Sequence, residues 1–150
     1  MMEKDIFEVS KDGTLGELEA LIIVGVDVNA YNEEGWTPLA LACRRQGYTF
    51  IRTLILAGAK INLKIKGSGA TPLMLAVSFQ NKAALSVLLQ NDAKLNLMDS
   101  ERMTALAYAE EDNFEFASMM LKRNGAKRFL FLEKLQWEWD QFIKFFRRSK

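Results

Sequence analysis

The residue types that could carry out chemistry are few in this 150-residue chain. It has no histidine, which excludes Ser-His-Asp and Cys-His nucleophile pairs and most transition-metal sites. Acidic residues are grouped at positions 33–34 and 110–112, and paired carboxylates can serve acid–base catalysis. We expect both groups on exposed turns, where no apolar pocket would desolvate them. Cys43 has no base nearby and is expected to be a small buried apolar side chain. The sequence therefore predicts a protein that is not an enzyme and that uses no metal or cofactor.

The composition is that of one folded domain. Hydrophobic residues make up 49% of the chain and charged residues 26%, with only two prolines and nine glycines. The formal net charge of +1 gives no bulk attraction for nucleic acid. The N-terminus lacks the basic and apolar regions of a signal peptide, and the longest apolar run is far shorter than the ~20 residues of a membrane helix. We expect a cytoplasmic protein that binds neither nucleic acid nor a small-molecule substrate.

Two short motifs recur along the chain at one common interval. The first reads TPLALA at 37–42, TPLMLA at 71–76 and TALAYA at 104–109, with steps of 34 and 33 residues. The second reads GVDVN at 25–29, GAKIN at 58–62, DAKLN at 92–96 and GAK at 125–127. Two independent motifs with the same period predict a series of stacked structural repeats.

The residues of each repeat predict a pair of helices. Thr37 can accept a hydrogen bond from a free backbone N–H at a helix start, and Pro38 suits the first helical position. The second helix carries apolar residues at helical spacing, namely Phe50, Ile51, Leu54 and Ile55. Gly58 can then adopt the left-handed conformation that ends a helix. Asp92 takes that place in the next repeat, since acidic side chains tolerate this conformation better than most.

This pattern resembles the ankyrin repeat family, whose marks are a period of about 33 residues and a T-P-L-H-x-A motif. The resemblance covers about residues 4–130. It implies an all-α solenoid, in which helix–loop–helix units are joined by β-hairpin fingers. We predict a single domain over 1–150, which consists of an N-terminal capping repeat (4–30), full repeats (31–63, 64–97 and 98–130) and a C-terminal helix (131–150). With a starting methionine and caps at both ends, we expect a free-standing protein.

The sequence departs from the family pattern at several positions. The motif histidine is replaced by Ala40, Met74 and Ala107, so we expect apolar packing in its place and looser fingers. Arg102 occupies the position of the finger glycine in the third full repeat. The finger at 64–69 is one residue longer than its neighbours and holds two glycines, which predicts a mobile tip.

The C-terminal helix is predicted to cap the exposed core of the last repeat with one apolar face. Trp137 and Phe145 lie away from that face, and Arg147 and Arg148 add positive charge at its end. Three interpretations stay open for these residues. They pack on the solenoid, they form a partner-binding or self-association surface, or they anchor the chain at a membrane interface.

The family resemblance also implies where a partner binds, because ankyrin proteins generally use the finger tips and the concave face of the solenoid. Carried over by position, that surface consists of Glu33, Glu34, Trp36, Arg44, Arg45, Ser68, Phe79, Glu101, Met103, Glu111 and Asp112. We expect Trp36 and Phe79 to be substantially exposed, with Trp36 as the strongest single candidate.

The sequence therefore predicts a non-enzymatic module that binds one folded protein, and inhibitors and bacterial immunity proteins are analogues of this kind. The alternative interpretation is a peripheral membrane adaptor, or a homo-oligomer, that uses the C-terminal helix.

Overall fold

The computed structural model describes residues 4–127, and within them it contains eight α-helices. Their bounds are α1 Ile6–Asp12, α2 Leu15–Ile23, α3 Pro38–Ala42, α4 Tyr48–Leu56, α5 Pro72–Ser78, α6 Lys82–Gln90, α7 Ala105–Glu111 and α8 Glu115–Arg123. The predicted C-terminal helix at 131–150 lies outside the described residues. The predicted repeat boundaries are not tested by these helix bounds and stay a prediction.

The first helix of each full repeat begins at a threonine, as the sequence predicts. The hydroxyls of Thr37, Thr71 and Thr104 accept hydrogen bonds from the backbone N–H three residues later, at 3.2, 3.3 and 3.2 Å. All three threonines are buried, so these bonds satisfy donors that water cannot reach. In α1 the same role belongs to Asp5, whose carboxylate accepts from two backbone N–H groups at 2.8 Å.

A residue with positive φ lies two positions after the last residue of the second helix of each unit. That residue is Gly25, Gly58 and Gly125 at φ 83°, 94° and 90°, and Asp92 at φ 58°. The prediction that Asp92 replaces the glycine is confirmed. Arg102 likewise adopts φ 62° at the finger position that glycine holds in the other fingers.

The helices stack in two layers that follow the order of the chain. Helices α1, α3, α5 and α7 pack side by side in one layer, and α2, α4, α6 and α8 form the other. Equivalent leucines fill the core between them at the repeat interval, namely Leu39, Leu73 and Leu106 in the first layer and Leu54, Leu88 and Leu121 in the second. The all-α repeat solenoid predicted from the sequence is confirmed.

The fingers are tight turns, and no β-strand occurs in residues 4–127. A backbone hydrogen bond closes the base of each: Asn32 N–H to the Trp36 carbonyl at 3.0 Å, Ile65 N–H to Ala70 at 2.9 Å, and Asp99 N–H to Met103 at 3.1 Å. A second backbone bond lies within each finger, from the N–H of Gly35, Gly69 and Arg102 to the carbonyl of Asn32, Ile65 and Asp99. The predicted β-hairpins are therefore not confirmed, since within these residues the fingers are hydrogen-bonded turns without assigned strands.

The tip of the finger at 64–69, which the sequence predicts to be mobile, is hydrogen-bonded to its neighbours on both sides. The Lys66 N–H donates to the Gly35 carbonyl at 2.9 Å, and the Ser68 carbonyl accepts from the Ser100 N–H at 2.8 Å. A Cβ added at Gly35 would lie 2.5 Å from the Cβ of Lys66, so glycine permits this close approach. These two bonds link the three fingers into one edge.

The motif histidine is replaced differently in each repeat. Met74 is buried, and its Sδ accepts a hydrogen bond from the Thr71 N–H at 3.3 Å. Ala40 is fully buried and packs within the core, whereas Ala107 is only partly buried. Sulfur is a weak acceptor, so Met74 replaces only part of what an imidazole could supply.

Asparagine side chains connect successive units in a way the sequence analysis did not anticipate. The side-chain carbonyls of Asn29, Asn62 and Asn96 accept hydrogen bonds from the backbone N–H groups of Lys60, Lys94 and Lys127, at 2.7, 2.9 and 2.8 Å. These asparagines are the fifth residues of GVDVN, GAKIN and DAKLN, so their recurrence at the repeat interval was visible in the sequence. We call this series the asparagine ladder.

Candidate protein-binding surface

Three of the residues selected from the sequence meet in one cluster. Trp36 directly precedes the capping Thr37, Arg44 follows the end of α3, and Phe79 is the residue at which α5 ends. The Cζ of Arg44 lies 5.8 Å from the ring centroid of Trp36 and 5.1 Å from that of Phe79. Both distances fall within the ~6 Å range of cation–π contacts. We call these three residues the aromatic–arginine cluster.

The cluster bridges two helix pairs, since Trp36 and Arg44 flank α3 and Phe79 follows α5. Its position depends on local structure at both ends. The Trp36 backbone N–H donates to Asn32 Oδ1 at 2.8 Å, which fixes the finger that carries the indole. The turns that carry Arg44 and Phe79 follow α3 and α5, which begin at the equivalent capping residues Thr37 and Thr71.

Trp36 is less exposed than the sequence analysis predicts. The side chain is partly buried and packs against the hydrophobic core, while Phe79 keeps 42% of its surface exposed. The indole packs against the core on one side, and the guanidinium of Arg44 lies over its ring at 5.8 Å from the centroid. The prediction of substantial exposure holds for Phe79 and is wrong for Trp36.

The remaining predicted site residues lie on finger tips and on the ends of first helices. Glu33, Glu34, Arg45, Ser68, Glu101, Glu111 and Asp112 are exposed, and Met103 is partly buried. We call them, together with the cluster, the finger-and-turn surface. Their role in binding is untested and stays a prediction.

Charge changes sign along the row of turns between first and second helices. Arg44 and Arg45 follow α3, while Glu111 ends α7 and Asp112 follows it. Phe79 lies between these groups, after α5. A partner that covers the whole row would need acidic groups at one end and basic groups at the other.

A second aromatic–cation contact joins neighbouring fingers, and the sequence analysis did not predict it. The Tyr31 hydroxyl donates to the Lys64 carbonyl at 2.9 Å, and Lys66 Nζ lies 4.5 Å from the Tyr31 ring centroid. Both contacts reach from the first finger to the second. They add to the backbone bonds that align the finger tips.

The third finger is fixed to its own helix by Asp99. One oxygen of this carboxylate accepts from the Tyr108 hydroxyl at 2.6 Å, and the other accepts from the N–H groups of Glu101 and Met103 at 2.9 Å. The hydrogen bond to Asp99 raises the pKa of the Tyr108 hydroxyl well above its usual range. Asp99 thus links Tyr108 of α7 to the backbone of the finger that carries Glu101 and Met103.

Cys43 is fully buried, as predicted, and desolvation raises the pKa of its thiol well above the ordinary value. Its place in the first-helix layer matches a small apolar packing residue. Within residues 4–127, no three histidine, cysteine or acidic side chains come together in a way that could hold a metal ion. Among the helices of the same residues, none has the length and apolar content to cross a membrane.

The second candidate surface predicted from the sequence lies outside the described residues. It consists of Trp137, Phe145, Arg147 and Arg148. The membrane-anchor and self-association interpretations rest on these residues, so they stay predictions.

Comparison with known protein families identifies the class of this chain. A family model described as ankyrin repeats in three copies matches residues 6–99 and 45–128. The two matches together cover most of the chain and include the aromatic–arginine cluster. The chain belongs to the ankyrin repeat family, as the resemblance in its motifs predicts.

The chain also matches parts of longer curated proteins. The chain is 32% identical over 88 residues to a fowlpox virus (strain NVSL) protein named as an ankyrin repeat protein, across 57% of this chain and 26% of the viral one. It is 30% identical over 111 residues to neurogenic locus notch homolog protein 2 from Homo sapiens and from Mus musculus. That match covers 72% of this chain and 4% of each notch protein. The chain thus spans only a small part of the relatives that it matches.

Proposed function

We propose that this chain is a non-enzymatic interaction module that binds a folded protein through its finger-and-turn surface, with the aromatic–arginine cluster as anchor. Ankyrin repeats are generally protein–protein interaction modules, which supports the coarser part of this proposal. The observation that carries the finer part is Arg44, placed 5.8 and 5.1 Å from two aromatic rings of adjacent helix pairs.

The composition of the cluster suits a binding hot spot. Tryptophan and arginine are the residue types whose truncation most often costs ~2 kcal/mol or more at protein interfaces. Phe79 adds an exposed aromatic ring beside them. Since both rings already restrain the Arg44 side chain, less conformational entropy would be lost when a partner binds.

We further propose that binding covers and blocks the partner, as an inhibitor or an immunity-type protein does. The hydrogen bonds between the three fingers support this, because Lys66 and Ser68 tie the middle finger to both neighbours. A surface already fixed in this way suits the recognition of one folded shape with little rearrangement. The cytoplasmic location predicted from the sequence is untested and stays a prediction.

A capture experiment tests the proposal. The wild-type chain and a Trp36→Ala/Arg44→Glu/Phe79→Ala variant are immobilised and exposed to native lysate. The matched control is Ile23→Ala/Arg52→Glu/Leu56→Ala, which changes exposed residues of α2 and α4 in the second-helix layer. We expect wild type and control to retain one protein in stoichiometric amount and the cluster variant to lose it.

Thermal unfolding of all three proteins separates loss of binding from loss of folding. Retention of the partner by a folded cluster variant would contradict the proposed site. If the captured protein has a measurable activity, adding the chain in equimolar amount should suppress it. An activity that is unchanged in the complex would contradict the inhibitor assignment and leave the binding surface intact.

A further inference from the structure

We propose that the aromatic–arginine cluster is a receptor for a carboxylate, so that Arg44 binds an aspartate or glutamate side chain of the partner. This inference rests on the proposed function and names the chemistry of the partner group that enters the site. Trp36 and Phe79 restrain the guanidinium, and its N–H groups are the part that binds.

The Arg44 guanidinium has N–H donors that a partner can use. A guanidinium carries several N–H groups in one plane and accepts no hydrogen bond. The two rings contact its charge through their π systems and supply no oxygen or nitrogen acceptor for these donors. Arg44 is exposed, and no residue of 4–127 accepts a hydrogen bond from its side chain or pairs with it as a carboxylate.

The acidic side chains of the finger that carries Trp36 leave Arg44 unpaired within residues 4–127. Glu33 and Glu34 lie in the same finger as Trp36, yet neither forms an ion pair with Arg44. Arg45 follows directly in the turn and is also exposed and unpaired within the described residues. Two adjacent arginines beside exposed aromatic surface favour an acidic group on the partner.

The planar shape of the guanidinium also favours a carboxylate as its ligand. A carboxylate matches the planar fork of a guanidinium, and the two can form a pair of parallel N–H···O bonds. The rings of Trp36 and Phe79 lie 5.8 and 5.1 Å from the Arg44 Cζ, so a carboxylate bound there would contact apolar surface as well as the charge. A charge-assisted bond is stronger beside such surface than in bulk solvent. A lysine ammonium at this position would keep the charge and lose the paired geometry.

The direct test uses an acetylated and amidated octapeptide of alternating glycine and glutamate, with a glycine–glutamine octapeptide as control. The Nε–Hε signals of the arginines are followed by NMR during titration at low ionic strength. We expect a saturable shift of the Arg44 signal with the glutamate peptide and none with the glutamine peptide. Arg52, exposed on α4, serves as an internal reference and should shift much less.

Variants test the role of the rings. In Phe79→Ala, we expect the glutamate peptide to bind Arg44 about threefold more weakly, because one of the two cation–π contacts is lost. The carboxylate assignment would be overturned if the glutamine peptide shifted the Arg44 signal as much as the glutamate peptide does. It would also be overturned if the Arg44 and Arg52 signals shifted equally, or if Phe79→Ala bound the glutamate peptide with unchanged affinity.

The outcome is distinguishable from a failure of the proposed function. If the Trp36→Ala/Arg44→Glu/Phe79→Ala variant loses the lysate partner and the glutamate peptide causes no shift of Arg44, the surface is right and carboxylate recognition is wrong. If the peptide shifts Arg44 and the triple variant still captures the partner, the carboxylate site exists and the proposed anchor is wrong.

Discussion

Ser10 is fully buried in α1, and its hydroxyl has no hydrogen-bond partner among residues 4–127. The equivalent position in the three full repeats is Ala42, Ala76 and Ala109, and all three are buried. The hydroxyl therefore loses its bonds to water on folding and gains nothing in return.

We predict that Ser10→Ala stabilises the protein by about 1 kcal/mol, because it removes a buried and unsatisfied polar group and favours the helix. Urea denaturation measures the change. Ser86→Ala is the control, since the Ser86 hydroxyl bonds to the Lys82 carbonyl at 2.9 Å on an exposed part of α6. A destabilised Ser10→Ala variant would contradict the assignment.

Asp92 is the exception among the positive-φ residues that follow the second helices. Gly25, Gly58 and Gly125 hold the same place with positive φ, and nothing lies within 4 Å of a Cβ added to any of them. The preference for glycine here thus comes from the backbone conformation and not from crowding. The Asp92 carboxylate also lies at the negative end of the helix dipole.

We therefore predict opposite effects for two matched substitutions. Asp92→Gly should stabilise the protein by about 0.5–1 kcal/mol, and Gly58→Ala should destabilise it by about 1 kcal/mol. Thermal and urea unfolding measure both. If Asp92→Gly destabilised the protein, the interactions of the Asp92 carboxylate would stabilise the fold by more than the positive φ of a non-glycine residue costs.

At the residue scale, the sequence predicted the burial of Cys43 and the left-handed conformation of Asp92 correctly, because both follow from the position of the residue within its repeat. The exposure of Trp36 could not be predicted in this way. It depends on how the indole packs against the core and beside Arg44, which follows Trp36 by eight positions and contacts Phe79 of the next helix pair. Residue types suggest such a contact, and only the packed structure determines it.

At the scale of elements, helix α4 offers a direct test of the assigned register. Leu54 is fully buried between the layers, and Arg52 on the same helix is exposed. We predict that Leu54→Ala destabilises the protein by roughly 2–5 kcal/mol through cavity formation. Arg52→Ala should change the free energy of unfolding by less than about 0.5 kcal/mol, because no core contact is lost. Equal effects, measured by urea unfolding, would show that the register of α4 is wrong.

The sequence predicted helices better than fingers, for a physical reason. Helix starts and ends depend on residues a few positions apart, such as the Thr37 hydroxyl and the Ala40 N–H. The finger tips depend on bonds between different repeats, such as Lys66 to Gly35. The glycines at 67 and 69 therefore suggested mobility, although bonds from both neighbouring fingers hold this segment.

At the scale of the whole molecule, the asparagine ladder couples the repeats. Asn62 accepts a hydrogen bond from the Lys94 N–H of the next unit at 2.9 Å. Asn91, in contrast, donates to the Val87 carbonyl within its own helix at 2.8 Å. In a repeat protein, stability is the sum of unit and interface contributions.

We predict that Asn62→Ala destabilises the protein by about 1 kcal/mol and reduces the cooperativity of unfolding, because the interface between two units loses a bond. Asn91→Ala should leave the cooperativity unchanged. The slope of the urea unfolding transition measures this difference. Equal slopes for the two variants would show that the ladder does not couple the units.

The aromatic–arginine cluster also belongs to the whole-molecule scale, because it assembles residues from two adjacent helix pairs on one face. The family pattern and the residue types were sufficient to select Trp36, Arg44 and Phe79 individually. Their meeting required the stacking of α3 against α5, which brings the turns after these helices together.

The dissociation constant of the captured partner for Arg44→Glu, compared with Arg52→Glu, tests the central claim most directly. Both variants reverse one exposed charge, so a long-range electrostatic effect acts on both. Calorimetry should show at least ~30-fold weaker binding for Arg44→Glu, in line with the loss of a hot-spot residue, and a change within about twofold for Arg52→Glu. Equal dissociation constants for the two variants would contradict a partner site centred on the aromatic–arginine cluster.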